Sequence, residues 1–273
     1  MRRSFVAGIV LVVALAACGS GSNAKSGGST SKVSTLALVT GAADAATQAK
    51  TAKLSGEMSL AFGSRQVTVP IEGATDFVNQ SAVMRVDMSD LGVPGVSGQI
   101  EIRLVDKVMY MNMGALLGSR ADSVLHGKDW VSIDLSELGA SQGATQNPAD
   151  MLQGLRGAGS VHEVGPENID GTATTHYRAE IDVQKAIANV PEKYKDLVAK
   201  GAQMFGKTYP VDVWIDHDGL PRRFALDLTL PGGKGSVKES VDYSDFGAPV
   251  TVEAPPADQV QSMQDFQQAA GGV

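Results

Sequence analysis

The strongest constraint on this chain is a period-two alternation from Lys53 to Met113, broken only at turn-forming positions and apolar on a consistent face after each turn. Successive side chains of a strand point to opposite faces, so a one-residue slip at any turn would send the apolar set to the wrong side. Three turns let neighbouring strands be checked against one another. A two-residue turn at Gly63-Ser64 pairs Leu60 with Val67 and Met58 with Val69. A turn at Asn79-Gln80 pairs Phe77 with Ala82 and Ile71 with Met88. A turn at Asp106-Lys107 pairs Leu104 with Met109, Ile102 with Met111 and Ile100 with Met113, while Glu101, Arg103, Tyr110 and Asn112 take the opposite side. The strands agree on an antiparallel meander with one apolar and one polar face.

The second half continues in the same way. Asp218-Gly219 is the best hairpin signal in the chain; it pairs Val213 with Phe224 and Val211 with Leu226, and on the other face sets Arg223 against Trp214 in a cation–π contact. Three segments read as helices. Residues 35–53 are alanine-rich, with Leu38, Val39, Ala42, Ala46 and Ala49 at helical spacing. A short helix is capped by Asn147 with Pro148 at its first position. A longer one starts near Pro191 and puts Tyr194, Leu197, Val198, Gly201, Met204 and Phe205 on one face.

The apolar face is rich in methionine. Met58, Met84, Met88, Met109, Met111 and Met113 all fall on it, six of the ten in the chain, where strands ordinarily favour Val and Ile. Thioether side chains adapt to variable apolar partners, so the cluster favours a pocket; the competing reading is a filled core in which methionine fills gaps.

The N-terminus sets the compartment. Met1-Arg2-Arg3 is a cationic stretch, Phe5 to Ala14 an apolar one too short to span a bilayer, and Leu15-Ala16-Ala17 leads into Cys18, the only cysteine. This resembles a lipobox, which implies cleavage before Cys18 and a diacylglyceryl (palmitate-type) anchor on its thiol; the other reading is an ordinary secretory signal holding a chance cysteine. Gly19 to Lys32 has no apolar periodicity and reads as a tether with a typical span of about 20 Å. Cleavage removes Arg2 and Arg3 and no acid, so the net charge moves from −7 to −9. An acidic body argues against nucleic acid as a partner. The expected organisation is signal peptide 1–17, lipidated cysteine and tether 18–34, one folded domain 35–258 and a tail 259–273 that is either a short helix or disordered.

Four enzyme-like signals fail on context. Gly201 to Thr208 matches the phosphate-binding loop pattern, but the pattern needs a strand before it and a helix after it, and here the order is reversed. Gly206 then reads as a helix C-cap, with Lys207 at the negative end of the helix dipole. Asp216-His217-Asp218-Gly219 starts like a calcium loop but lacks the third acid and the closing glutamate, and so reads as a hairpin turn. His126, His162, His176 and His217 are scattered, without zinc-site spacing. No serine sits in a Gly-x-Ser-x-Gly elbow. No catalytic residue, metal ligand or cofactor is expected.

Several motifs together carry a resemblance: the lipobox, Asn147 to Leu152, Gly165 to Asp182 with Asp170-Gly171 and Thr175-His176-Tyr177, Val213 to Asp216 followed by Gly219 to Arg223, and Asp245-Phe246-Gly247. In order and spacing they resemble the actinobacterial LppX/LprG lipoprotein family over about residues 36–260. The resemblance implies an α+β, LolA-like fold, a strongly curved antiparallel half-barrel whose concave apolar face is covered by helices around an acyl-chain cavity. The implied protein is not an enzyme. It sits lipid-anchored on the extracytoplasmic face of the cell membrane, binds a membrane lipid or glycolipid, carries or presents it, and works with an envelope transporter. The alternative is a non-enzymatic interaction module with a filled core, partner of an envelope transporter or sensor. On the apolar face, the expected lining is Met58, Leu60, Val69, Ile71, Met84, Val86, Met88, Ile100, Ile102, Leu104, Met109, Met111, Met113, Val213 and Phe224.

Overall fold

Two meanders meet edge to edge. The computed structural model describes residues 35–63, 65–89, 98–118, 121–136, 160–184, 207–230 and 235–271. Helix α1 (Thr35–Ala49) leads into β1 (Thr51–Phe62), β2 (Arg65–Asp76), β3 (Ser81–Asp87), β4 (Gln99–Val105) and β5 (Val108–Asn112). Short helices α2 (Gly114–Leu117) and α3 (Ala121–Leu125) precede β6 (Trp130–Asp134). The second meander comprises β7 (Ser160–Ile169), β8 (Thr172–Asp182), β9 (Thr208–Asp216), β10 (Pro221–Leu230) and β11 (Gly235–Ser244); β12 (Val260–Ser262) and α4 (Met263–Gly271) end the described chain. All twelve strands form one open sheet in the order β12-β6-β5-β4-β3-β2-β1-β11-β10-β9-β8-β7. The join is the long antiparallel pairing of β1 with β11, from Lys53 opposite Ser244 to Ala61 opposite Ser236.

The turns explain most of the register. Leu60 pairs with Val67 and Met58 with Val69, as the Gly63-Ser64 turn requires. Asp106 and Lys107 both have positive φ, 51° and 66°, the geometry of a two-residue hairpin turn whose twist matches the strands, and Ile102 faces Met111 and Leu104 faces Met109. At the β2–β3 turn the expected register is off by two residues: Ile71 faces Val86, not Met88, and Thr75, not Phe77, faces Ala82. The Asp76 carboxylate accepts hydrogen bonds from the N–H groups of Val78 and Asn79, each at 2.9 Å, which stabilises a four-residue loop in place of the tight turn. A slip of two preserves the faces. The expected Ile100–Met113 pair does not form, because β5 ends at Asn112 and Met113 has helical backbone angles at the start of α2.

Glycine lets the sheet curve. A Cβ on Gly56 would lie 2.0 Å from the Ser240 carbonyl oxygen, and one on Gly73 2.2 Å from that of Val83. Gly73 is paired with Leu54 and Gly56 with Ile71, so the close approaches fall on consecutive same-face rows of β1 and β2.

The apolar residues of both meanders form one cluster, joined by Val39, Ala42, Ala43 and Ala46 of α1, which packs against β1, β10 and β7. Fully buried Val69 and Val213 each contribute about 1.5–3 kcal/mol. The helix differs from expectation at its edges: it ends at Ala49, Leu38 is exposed, and Ala43 takes the buried place, because small side chains let the helix lie close to the sheet. At the turn after β11, Phe246 stacks on Phe77 at 6.4 Å under the Arg222 guanidinium, Asp245 pairs with Lys53 at 2.6 Å, and the Gly247 N–H donates to the Thr51 carbonyl. The chain then passes Arg103, which donates to the Glu253 carbonyl at 3.1 Å, and adds β12 parallel to β6, so the segment set apart as a tail contributes a strand and a helix. Cys18, the helices expected at Asn147 and Pro191, and Gly201 to Gly206 lie outside the described residues.

Candidate functional site

The register lines up the inner face in rows. One row crosses seven strands from β2 to β7: Val69, Met58, Glu239, Leu226, Val211, Ala179 and Val161. The adjacent row, Ile71, Gly56, Val241, Phe224, Val213 and Tyr177, is buried at each large side chain. In the first row the adjacent residues Met58, Glu239 and Leu226, and Val161 at its end, are only half-buried, as are Leu60 and Val67 one row further out. These half-buried side chains form an apolar patch on the inner face over β2, β1, β11 and β10, beside the buried row. Met111 and Ile133, on β5 and β6, are also half-buried and packed on the same cluster.

Glu239 is the exception in that setting. It lies between Val237 and Val241 along β11 and between Met58 and Leu226 across it. Among the described residues it has neither a hydrogen-bond nor an ion-pair partner, and burial pushes its carboxyl up to about 7. Nearby, the Tyr243 hydroxyl is raised by its own burial first and then by the charges of Glu239 and Asp242. Tyr243 packs edge-on to Phe224 at 5.7 Å.

The outer face holds its charges in networks. Glu101 accepts from Arg103 at 2.6 Å and Arg85 at 2.8 Å; burial would raise its carboxyl, but these bonds and the two positive charges outweigh it and hold it low. Asp212 accepts from Arg178 through both oxygens, at 2.7 and 2.8 Å, and from His176 Nε2 at 2.7 Å. Burial works against ionisation there too, and the Arg178 and His176 bonds win. His176 stacks on Trp214 at 4.2 Å, Trp214 donates its indole N–H to Glu167, and Arg223 lies 6.0 Å over the same indole while pairing with Asp242. Arg223 and Trp214 are thus cross-strand neighbours, as expected. Asp216 is occupied by its own turn: it accepts from the N–H groups of Asp218 and Leu220 and from Arg222.

No protein-family model matches the chain. Over 199 residues it is 27% identical to an uncharacterised 31.2 kDa protein of the rplA–rplJ intergenic region of Streptomyces griseus, a match covering 66% of this chain and 61% of that protein. Over 169 residues it is 25% identical to the candidate lipoprotein SCO4650 of Streptomyces coelicolor, covering 58% of this chain and 49% of the relative. The match therefore spans less than two thirds of the length of either curated relative. The crystal structure of the lipoprotein LppX from Mycobacterium tuberculosis superposes with a TM-score of 0.50 at 19% identity, covering 82% of this chain and 100% of that one.

The chain has the LppX fold.

On that fold the fifteen expected lining residues separate into two groups. Val69, Ile71, Met84, Val86, Met88, Ile100, Ile102, Leu104, Met109, Val213 and Phe224 are buried, whereas Met58, Leu60, Met111 and Met113 are half-buried. The expected lining residues on β3 and β4 are therefore packed, and the half-buried apolar side chains lie on β1, β2, β10 and, further along the sheet, on β5 and β6. Leu226 and Glu239 were not among the expected lining. The signal for both was present, since Val237, Glu239, Val241 and Tyr243 share one parity on β11 and Leu226 faces Glu239.

Proposed function

We propose that this protein is a lipid-anchored lipoprotein of the extracytoplasmic face of the cell membrane, which holds acyl chains of a membrane lipid or glycolipid against its inner face and carries or presents them. Residues 1–17 act as the signal peptide, Cys18 bears the diacylglyceryl anchor, residues 18–34 form the tether, and the helices expected from Asn147 and from Pro191 cover the concave face. The supporting observation is the half-buried apolar patch over four adjacent strands, on a sheet with the LppX fold. Exposed apolar area of that kind is costly in water and is relieved by an apolar occupant. The role is transfer without chemistry, and an envelope transporter is the partner that would receive or deliver the cargo.

The burial of eleven expected lining residues favours a second reading, an interaction module with a filled core. Met58→Trp separates the two. In a carrier, the indole covers the apolar patch: the variant stays folded and its affinity for a fluorescent long-chain acyl probe falls at least tenfold. In a filled-core module, neither form binds the probe and the substitution costs about 1–3 kcal/mol of overpacking.

A further inference from the structure

A carboxyl group has been placed where an acyl carrier needs none. Glu239 is the one ionisable side chain in a row whose six other members are apolar, at the fifth position of a ten-residue strand. It is not at a rim: Val237 and Val241 flank it on the same face, with Met58 and Leu226 to either side. Its charged neighbour in sequence turns the other way, Lys238 pairing with Asp227 at 2.8 Å on the outer face. A carboxyl set among apolar side chains without a partner is costly, and half-buried Glu239 has none among the described residues.

We propose that Glu239 is a specificity-determining residue that hydrogen-bonds a neutral oxygen, a hydroxyl or ester group, lying partway along the apolar chain of the ligand. This rests on the carrier reading and narrows its substrate class to lipids whose chain is interrupted by such an oxygen. The apolar residues on all four sides favour apolar segments on both sides of the bonding group over a terminal headgroup. A cationic group is disfavoured because bringing a second full charge into this row adds its own desolvation cost. With burial holding the carboxyl neutral up to about pH 7, it offers one donor and an acceptor, and either a hydroxyl or an ester oxygen can be satisfied.

The test is competition against a fluorescent acyl probe at pH 6, comparing methyl oleate, methyl ricinoleate (the same chain with a mid-chain hydroxyl) and acetylated methyl ricinoleate. The protein should prefer one or both oxygen-bearing esters over methyl oleate by about tenfold, the factor expected for one net hydrogen bond. Glu239→Gln, which keeps a donor and an acceptor, should retain that preference, and Glu239→Leu should abolish it while binding methyl oleate more tightly. A preference for the hydroxyl alone would identify Glu239 as acceptor, and equal preference for the acetate would identify it as donor; both support the proposal. If all three esters bind alike to the unaltered protein, the Glu239 inference fails while the carrier reading stands. If none binds to the unaltered protein or to either variant, the carrier reading fails with it.

Discussion

Buried Asp212 and half-buried Glu239 are two carboxyl groups on opposite faces of the same sheet, and their environments push them in opposite directions. Asp212 is buried and stays ionised because Arg178 and His176 supply three hydrogen bonds and positive charge. Glu239 sits among Met58, Leu226, Val237 and Val241 and is held neutral up to about 7. Asp212 is a structural carboxylate, whereas Glu239 has no hydrogen-bond or ion-pair partner among the described residues. The outer face uses buried charge to lock strands β8 and β9 together, and the inner face leaves one acid waiting for a partner. An acid held among apolar side chains persists at a net cost to stability, which is why it points to function.

The largest effect should come from breaking the satisfied side. Asp212→Ala leaves Arg178 and His176 without their acceptor and should cost about 3–4 kcal/mol by denaturant unfolding at pH 7. Because the folded-state value of Asp212 is lowered, its contribution is present above the ordinary aspartate range, near pH 3.9, and is lost as the pH falls through the folded value. The gap between the two proteins should therefore narrow in acid. A gap that stays constant down to pH 2 would contradict the assignment.

Glu239→Gln should act with the opposite sign. The folded-state carboxyl is raised from 4.5 to about 7, so the unfolded chain gives up its proton first and stability declines as the pH rises between those values. The substitution should leave stability unchanged near pH 4 and increase it by no more than about 3 kcal/mol at pH 8. Thermal unfolding across that range checks this, and a flat difference would show that Glu239 does not titrate high. The smallest change should be at the neighbouring residue on the other face. Lys238 and Asp227 are more than half exposed, so Lys238→Ala should shift stability by less than about 0.5 kcal/mol, and less still in high salt.

How much of this was legible in the sequence follows from the range of the interactions. The two-residue turn at Gly63-Ser64 and that at Asp106-Lys107 fix register locally, and the pairs read from them are the pairs in the structure. The β2–β3 loop was misjudged because Asp76 caps the backbone two and three residues on, a side-chain contact that alternation does not report. Helix α1 was legible as a helix, but its buried stripe was displaced because the sheet, not the helix, decides which side is covered. The pairing of β1 with β11 spans nearly the whole domain and leaves no local signature. Glu239 could have been found by parity alone, since it alternates with Val237, Val241 and Tyr243, but an acid on an apolar face is ordinarily assigned to solvent. Only the row assembled from several strands shows that its cross-strand neighbours are apolar too.

The most direct test of the account is native mass spectrometry with solvent extraction of the unacylated protein beginning at Gly19, purified from an actinobacterial host. The account predicts a reproducible adduct that leaves in organic solvent as a lipid, with its amount falling in Met58→Trp. A bare polypeptide mass that stays bare after incubation with host lipid extract would contradict the claim that the inner face is a lipid site.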